Sequence, residues 1–447
     1  MNEPMNITRR QALMQSLFGA GLVGLRALAT GLPVSFLMNP RRALALNTCT
    51  APGKAQYIIL STSGNGDPIN ANAPGTFGVD SRIIHSADPQ MAATNFTLNG
   101  QSVTAAKPWS TPATGGVMPQ AVLDRTVFWH LMTNTPIHPK EPDVLQLMGA
   151  SVGHEMLPSL LAKATAPCLN TVQAQPVSVG GSGPSEALSF SGAPQPTIPP
   201  LALKDTLITP AGPIANLMDL RRSTMDNIYS LYKTVATPAQ KTFIDNLSTT
   251  QTQAKNINTS LLSALSSINN NGVAAQITAA ITLIQMNISP VIAIHIPFGG
   301  DNHQDNALGN ETAQTVAGVA SIASLMAQLQ TNNLQDKVTF MSLNVFGRTL
   351  MVNAGGPATN GRTHNPNHQV SITIGKPFKG GVVGGITPVG NDFGAMSINS
   401  TTGAGVASGG DITPVDSLGA FAQSVLSGVG GDTSVVTRGK VITPVLA

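Results

Sequence analysis

The chain is short of charge and of cysteine. Of its 447 residues 21 are acidic and 24 basic, 10% in all, against about a quarter in an average soluble domain. This excludes a coiled coil and a charge-rich disordered chain, both of which need dense charge. Two cysteines exclude a disulfide scaffold and any four-cysteine zinc or iron–sulfur site. No G-x-S-x-G elbow and no phosphate-binding glycine loop occur, so neither an α/β-hydrolase nor a P-loop enzyme is supported. The deficit of charge is filled by small and polar residues beside a 42% hydrophobic content. The formal charge of +3 misleads, because Arg9, Arg10, Arg26, Arg41 and Arg42 stand against Glu3 alone in the first 45 residues. Without that segment the net charge is −1, which lacks the basic surface of a nucleic-acid binder.

What the first 45 residues carry is an address. Thr8-Arg9-Arg10-Gln11 precedes a mildly apolar, glycine-rich stretch, and Ala43-Leu44-Ala45 forms an A-x-A site. The pattern predicts a twin-arginine export signal over 1–45, cleaved after Ala45, and hence a periplasmic or secreted protein. A retained membrane anchor fits poorly. Arg26 splits the stretch into Gln11–Leu25 and Ala27–Pro40, each shorter than the roughly 18–20 residues of a spanning helix. No stable membrane span is expected after cleavage. Cys49 and Cys168 both remain in the mature chain. An exporting compartment permits a disulfide, but sequence spacing leaves open whether the two meet.

Apolar, β-branched runs predict buried strands over Lys54–Ser63, Thr126–Met132, Thr171–Gly180, Pro290–Pro297, Lys337–Leu343 and Gln369–Ile374. Helical spacing predicts Asp143–Ala164 with a break near Gly153, a pair over Ile214–Val235 and Pro238–Asn269, then Val273–Met286, Glu311–Leu329 and Asp416–Leu426. Val273–Gly300 has no formal charge, but Gln285, Asn287 and Pro290 interrupt it, so helix followed by strand is the better reading than a membrane span. Alternating strands and helices predict a mainly parallel sheet buried on both faces. Ala71–Thr114 reads as a polar insertion with little regular structure, and Gly181–Pro213 as loop. The expected organisation is one domain over 46–447 with insertions near 71–114 and 181–270. Such polar insertions could contact glycans or partners, but solvated loops are the simpler reading.

Ligands of parallel sheets bind where loops leave the carboxyl ends of the strands. Polar side chains collect there: Asp67 after the first strand, Asp301 and His303 after Pro290–Pro297, Arg348 after Lys337–Leu343, then His364 and His368. Carboxylate with imidazole suits zinc or manganese, and carboxylate alone magnesium or calcium. Asp67, Asp301, His303, His364 and His368 are therefore candidate ligands of one or two divalent ions (Zn, Mn, Mg or Ca), and Arg348 a candidate anion clamp. Each has a plainer alternative: a turn for Asp67-Pro68, a helix cap for His303, a loop salt bridge for Arg348. His295 reads as a core residue, His130 as core or strand-end, and His85, His138 and His154 as surface or turn groups. Ser63, Thr133 and Thr135 each follow a predicted strand, and none stands out as a nucleophile.

In order along the chain, Asp67-Pro68-Ile69-Asn70, Gly299-Gly300-Asp301-Asn302-His303, Asn344-Val345-Phe346-Gly347-Arg348-Thr349, Gly361-Arg362-Thr363-His364 and the glycines from Gly375 to Gly385 resemble the landmarks of the domain-of-unknown-function 1501 family. That family is exported, sulfatase-like and grouped with the alkaline phosphatase superfamily. The resemblance implies a three-layer α/β/α fold with a mainly parallel central sheet and polar loop and helical insertions. It also implies divalent metal at the acidic and histidine positions, and it makes an exported protein partner plausible. Here the motifs are degenerate: Gly300 replaces a tryptophan, Val345 a glutamate and Thr363 an aspartate. Losing two carboxylates removes charge that would offset two ions. Two readings stay open: a sulfatase/phosphatase-like protein of unknown substrate with a degenerate metal site and a binding or structural role, and an active metal-dependent hydrolase of phosphate or sulfate esters.

Overall fold

The computed structural model describes residues 49–66, 69–113, 116–180, 188–207, 259–298, 302–352 and 360–447, with a few positions between 224 and 241. The leader, Asp67, Asp301 and most of the expected helical pair over 214–269 lie outside the described residues. The core is a seven-stranded sheet. Its strands are β1 (Tyr57–Ser63), β2 (Thr126–Leu131), β3 (Val177–Ser178), β4 (Val291–Ile294), β5 (Val338–Asn344), β6 (Gln369–Ile374) and β7 (Gly381–Val383), in the spatial order β7-β2-β6-β5-β1-β4-β3. β6 runs antiparallel to both its neighbours, β2 and β5, and the other pairings are parallel. The fold is thus mixed α/β around a mostly parallel sheet. Each central strand is buried along its length, as the continuous apolar runs demand.

Four longer helices accompany the sheet: α1 (Leu157–Leu169), α2 (Val273–Gln285), α3 (Gly309–Thr331) and α4 (Ser417–Gly428). Alternate residues of the strands enter two apolar clusters. Ile58 and Leu60 of β1 share one with Leu157 and Leu161 of α1 and Phe421 of α4. Ile59 shares the other with Ile281 of α2 and Ile322 of α3. This is the period-two alternation of a strand covered on both sides.

Four expectations need correction. The 71–114 segment carries a hairpin, Ala93–Leu98 against Gln101–Ala106. Asn99 and Gly100 at its tip both have positive φ (47° and 83°), the backbone of a two-residue type I′ turn. Met91, Leu98 and Trp109 from this segment are buried in the main core. The 181–213 stretch likewise holds a small hairpin, Leu188–Phe190 with Ala193–Gln195, and a helix at Pro200–Leu207. The helix expected over Asp143–Ala164 is a short turn at Glu141–Leu145, irregular turns with Gly153 at φ 67°, and α1. His295 stands just past the end of β4 and is half-buried.

Cys49 and Cys168 are joined, with Cα atoms 4.7 Å apart at a sequence separation of 119. The bond ties the segment ahead of β1 to the carboxyl end of α1.

Candidate functional site

The turn that ends β1 organises the site. Ser63 Oγ accepts the Asn65 N–H (3.1 Å), and Gly66 has φ +75°. A side chain at Gly66 would overlap the Phe346 ring, so only glycine permits this approach. Phe346 and Arg348 follow β5, which pairs with β1 in register from Tyr57↔Val338 to Ser63↔Asn344. Arg348 is fully buried. Its Nη2 donates to the Asn65 carbonyl (2.7 Å), and its guanidinium lies 5.6 Å from the Phe346 ring centre. Asn70 holds the Arg348 backbone, its amide donating to the Arg348 carbonyl. The described contacts of Arg348 therefore hold the first turn in shape.

Two half-buried imidazoles pack against Phe346, and a third, that of His303, packs against one of them. His364 stacks on Phe346 with centroids 4.3 Å apart, and His138 meets it edge-on at 4.9 Å. His138 and His364 are 4.6 Å apart, His303 and His364 4.8 Å. Backbone pairing brings the last two together: Gly361 N–H donates to His303 O (2.8 Å) and Arg362 N–H to Asn302 O (3.2 Å). His364 Nδ1 lies 2.6 Å from the Pro136 carbonyl, and His138 Nδ1 2.6 Å from the Gly64 carbonyl. A carbonyl only accepts, so each Nδ1 carries the proton and each Nε2 of the neutral ring presents a lone pair. The Nε2 atoms of His303 and His364 are 3.1 Å apart. Burial chiefly, with the charges of Arg348, His138 and His303, lowers the His364 pKa to about 4, against the hydrogen bond to Pro136.

His138, expected at the surface, is thus part of the cluster. Its only sequence signal was its place soon after a buried strand. The described contact of His368 is elsewhere. It and His130 are fully buried, with His368 Nε2 2.9 Å from His130 Nδ1 and His130 Nε2 3.0 Å from Pro74 O. Burial pulls the His130 pKa down to about 4 and that of His368 well below its usual value, His130 adding to the second. Both imidazoles are therefore neutral in the fold. Their stabilising contribution is present above pH 6.5 and is lost as the pH falls towards 4. For His130 it is on the order of 3 kcal/mol. Asp392 acts in the opposite sense. Burial raises it to about 6, so its contribution is present below about pH 3.8 and is lost as the pH rises through 6. In an Asp392→Asn background, the urea midpoint should fall between pH 7 and 4.5. A flat profile would refute this account of the pair.

The described carboxylates near the cluster have partners. Asp305 Oδ2 accepts the Glu311 N–H at the start of α3 (2.9 Å). Glu311 pairs with Arg362 (2.6 Å), both fully buried. Asp392 accepts the Leu350 and Met351 N–H groups and the Asn365 amide. Glu141, which sequence reasoning passed over, is buried against the Thr62 hydroxyl at the end of β1. The hydroxyls of Ser63 and Thr135 accept backbone N–H groups, and Thr133 is fully buried. Val345 is fully buried within an apolar cluster. Among the described residues no group of three or more His, Cys, Asp or Glu side chains is placed to hold a metal ion. Nor is any described helix long and apolar enough to cross a membrane.

No family model matches the sequence. No curated protein matches it either. Two solved structures share some of its course. They are the crystal structure of Ps i-CgsB in complex with k-i-k-neocarrahexaose (11% identity, 87% of this chain and 75% of that one, TM-score 0.33) and that of Ps i-CgsB (11% identity, 86% and 75%, TM-score 0.31). An overlap this loose carries no argument about the site.

Proposed function

We propose that the protein is an exported, sulfatase-like binding protein that keeps one divalent ion in a site of two imidazoles and two carboxylates and has lost hydrolysis. The observation that carries this reading is the pairing of His303 and His364. Their Nε2 atoms are 3.1 Å apart, and nitrogens about 2.0–2.1 Å from one tetrahedral zinc ion stand roughly 3.3 Å apart. The hydrogen bond from His364 Nδ1 to a backbone carbonyl is the support that orients a metal-binding imidazole. Asp67 and Asp301 complete the ligand set in this reading, and His368, committed to His130, drops out of it. Imidazole ligands favour zinc and similar ions over magnesium or calcium. A bound ion would polarise an oxyanion or carbonyl oxygen of a ligand. Arg348 adds fixed positive charge beside it.

The binding role is favoured over the hydrolase by the engagement of the described carboxylates near the cluster, and by the apolar setting of Val345. The same reading takes 46–447 as one domain of three-layer α/β/α type, related to the domain-of-unknown-function 1501 family. It has insertions near 71–114 and 181–270, reaches the periplasm by its twin-arginine leader, and acts with an exported protein partner rather than nucleic acid or membrane.

The test is metal content by mass spectrometry on oxidised mature protein purified from periplasm without chelator. About one tightly held ion per chain is expected, lost in His303→Ala with the fold retained. Aryl phosphates and aryl sulfates should not turn over with any divalent ion. Chelator-sensitive turnover would establish the hydrolase instead, and folded protein without metal would refute both readings.

A further inference from the structure

We infer that Gln369, Ser371 and Thr133 form an internal binding site for a hydroxyl oxygen, beside the Gly347–Arg348 turn. The site needs no metal and is separate from the imidazole pair. β6 carries valine or isoleucine at 370, 372 and 374 and polar residues at 369, 371 and 373. Val370, Ile372 and Ile374 enter the apolar cluster of α2 and α3. The polar residues therefore face the other way, towards the cluster of α1 and α4, which also holds Trp129 and Leu131 of β2 and Met341 and Leu343 of β5. The hydrogen bond from Trp129 Nε1 to Thr373 Oγ1 (3.0 Å) lies on that side. β6 thus lays a polar stripe across an apolar face, and its three polar side chains are fully buried. Thr373 is satisfied by Trp129. Among the described residues Ser371 Oγ, Gln369 Oε1, Gln369 Nε2 and the buried Thr133 Oγ1 have no hydrogen-bond partner. Orphaned buried polar groups are costly, and native proteins pair nearly all of them.

Register brings these groups together. Leu131 pairs with Gln369 and Trp129 with Ser371. The Asn134 N–H donates to Pro366 O (2.8 Å), which extends the same register past the end of β2. Thr133 then lies diagonally across from Gln369, on the face of Trp129 and Leu131. Ser371 follows Gln369 on that face at about 6.6 Å. An oxygen hydrogen-bonded to two groups spans atoms roughly 5 Å apart, which fits side chains at these spacings. The set carries no charge and offers donors and acceptors together. It complements a hydroxyl, which also gives and takes, rather than an ion. Full burial limits the occupant to a few atoms, water or one end of a small polyol. Gln369 begins β6 at the end of the sheet where β1 and β5 finish. A side chain on Gly347 would come within 2.9 Å of the Gln369 Cα, so the bound oxygen adjoins the turn that carries Arg348.

The experiment is a double-mutant cycle with Gln369→Leu and Thr133→Val, read as the melting temperature of oxidised mature protein purified without glycerol or sugars. Both replacements keep size and remove polarity. With a shared oxygen, each single variant should lower the melting temperature by about 2–4 °C, because it strands the oxygen and the remaining group. The double variant should lose less than the sum. A rise in melting temperature for Gln369→Leu overturns the proposal, since removing an unpaired amide relieves its desolvation cost. Strict additivity in the cycle overturns it too. Native mass spectrometry and a crystal structure of the wild-type protein identify the source of the oxygen. An adduct that is released on unfolding and is missing from Gln369→Leu makes the occupant a polyol. No adduct, with an ordered oxygen between Gln369 and Thr133 in the density, makes it water. Empty density between them overturns the site even if the variants fail to fold.

Discussion

Replacing Cys49 and Cys168 with serine should cost the protein about 3–5 kcal/mol of stability. The bond closes a stretch of 119 residues, and chain entropy alone assigns such a loop roughly 5 kcal/mol. Cys49 and Thr50 are exposed, and the Thr50 hydroxyl makes only a long contact, 3.5 Å, to the Gly430 carbonyl. The freed segment can therefore fray while the sheet stays folded, which returns part of the loss. The measurement is urea unfolding of the oxidised wild type and the double variant. An unchanged midpoint would mean that 49–56 contributes nothing to the folded state even when tied.

The second large effect is expected at Arg362. Its Nε donates to Glu311 Oε2, its Nη1 to the Thr349 and Leu350 carbonyls, and its Nη2 to the Ile84 carbonyl. Asn72 donates to the other oxygen of Glu311 (2.8 Å). Four segments are joined by one guanidinium. Arg362→Met should cost about 3–5 kcal/mol, because it strands a buried carboxylate. Adding Glu311→Leu should restore much of that loss, since removing both charges avoids the desolvation of either. Thermal unfolding of the single and double variants decides the matter. If the double variant is no better than the single, the hydrogen bonds to the three carbonyls, rather than the charge pair, carry the stability. Because Arg362 sits two residues from His364, the single variant should also hold zinc more weakly.

Much of the sheet was legible because its strands are continuous β-branched runs, and continuous runs are what two buried faces require. Gln369–Ile374 was placed to the residue for that reason. The Ala93–Ala106 hairpin was missed although Asn99-Gly100 is a strong turn signal. Its strands are rich in threonine, asparagine and glutamine, so polarity hid the alternation that puts Leu98 and Ala106 in the core. At the site, sequence order could bring His303 and His364 to the same end of the sheet. It could not assign His368, whose partner His130 is 238 residues away and is met only through the pairing of Val370 with His130. His138 and Glu141 left little signal for a similar reason. Their roles are set by the Gly64 carbonyl and the Thr62 hydroxyl, neither of which leaves a motif.

The imidazoles of His138 and His364 are steered by the oxygens of Gly64 and Pro136, atoms that every amino acid carries. No codon change at 136 deletes its oxygen, and at 64 the oxygen persists wherever the turn itself survives. The aim of the two rings is therefore robust to genetic drift in their supports. A mutational scan should find positions 64 and 136 tolerant of any substitution that preserves the local backbone, while every replacement of the histidines themselves registers.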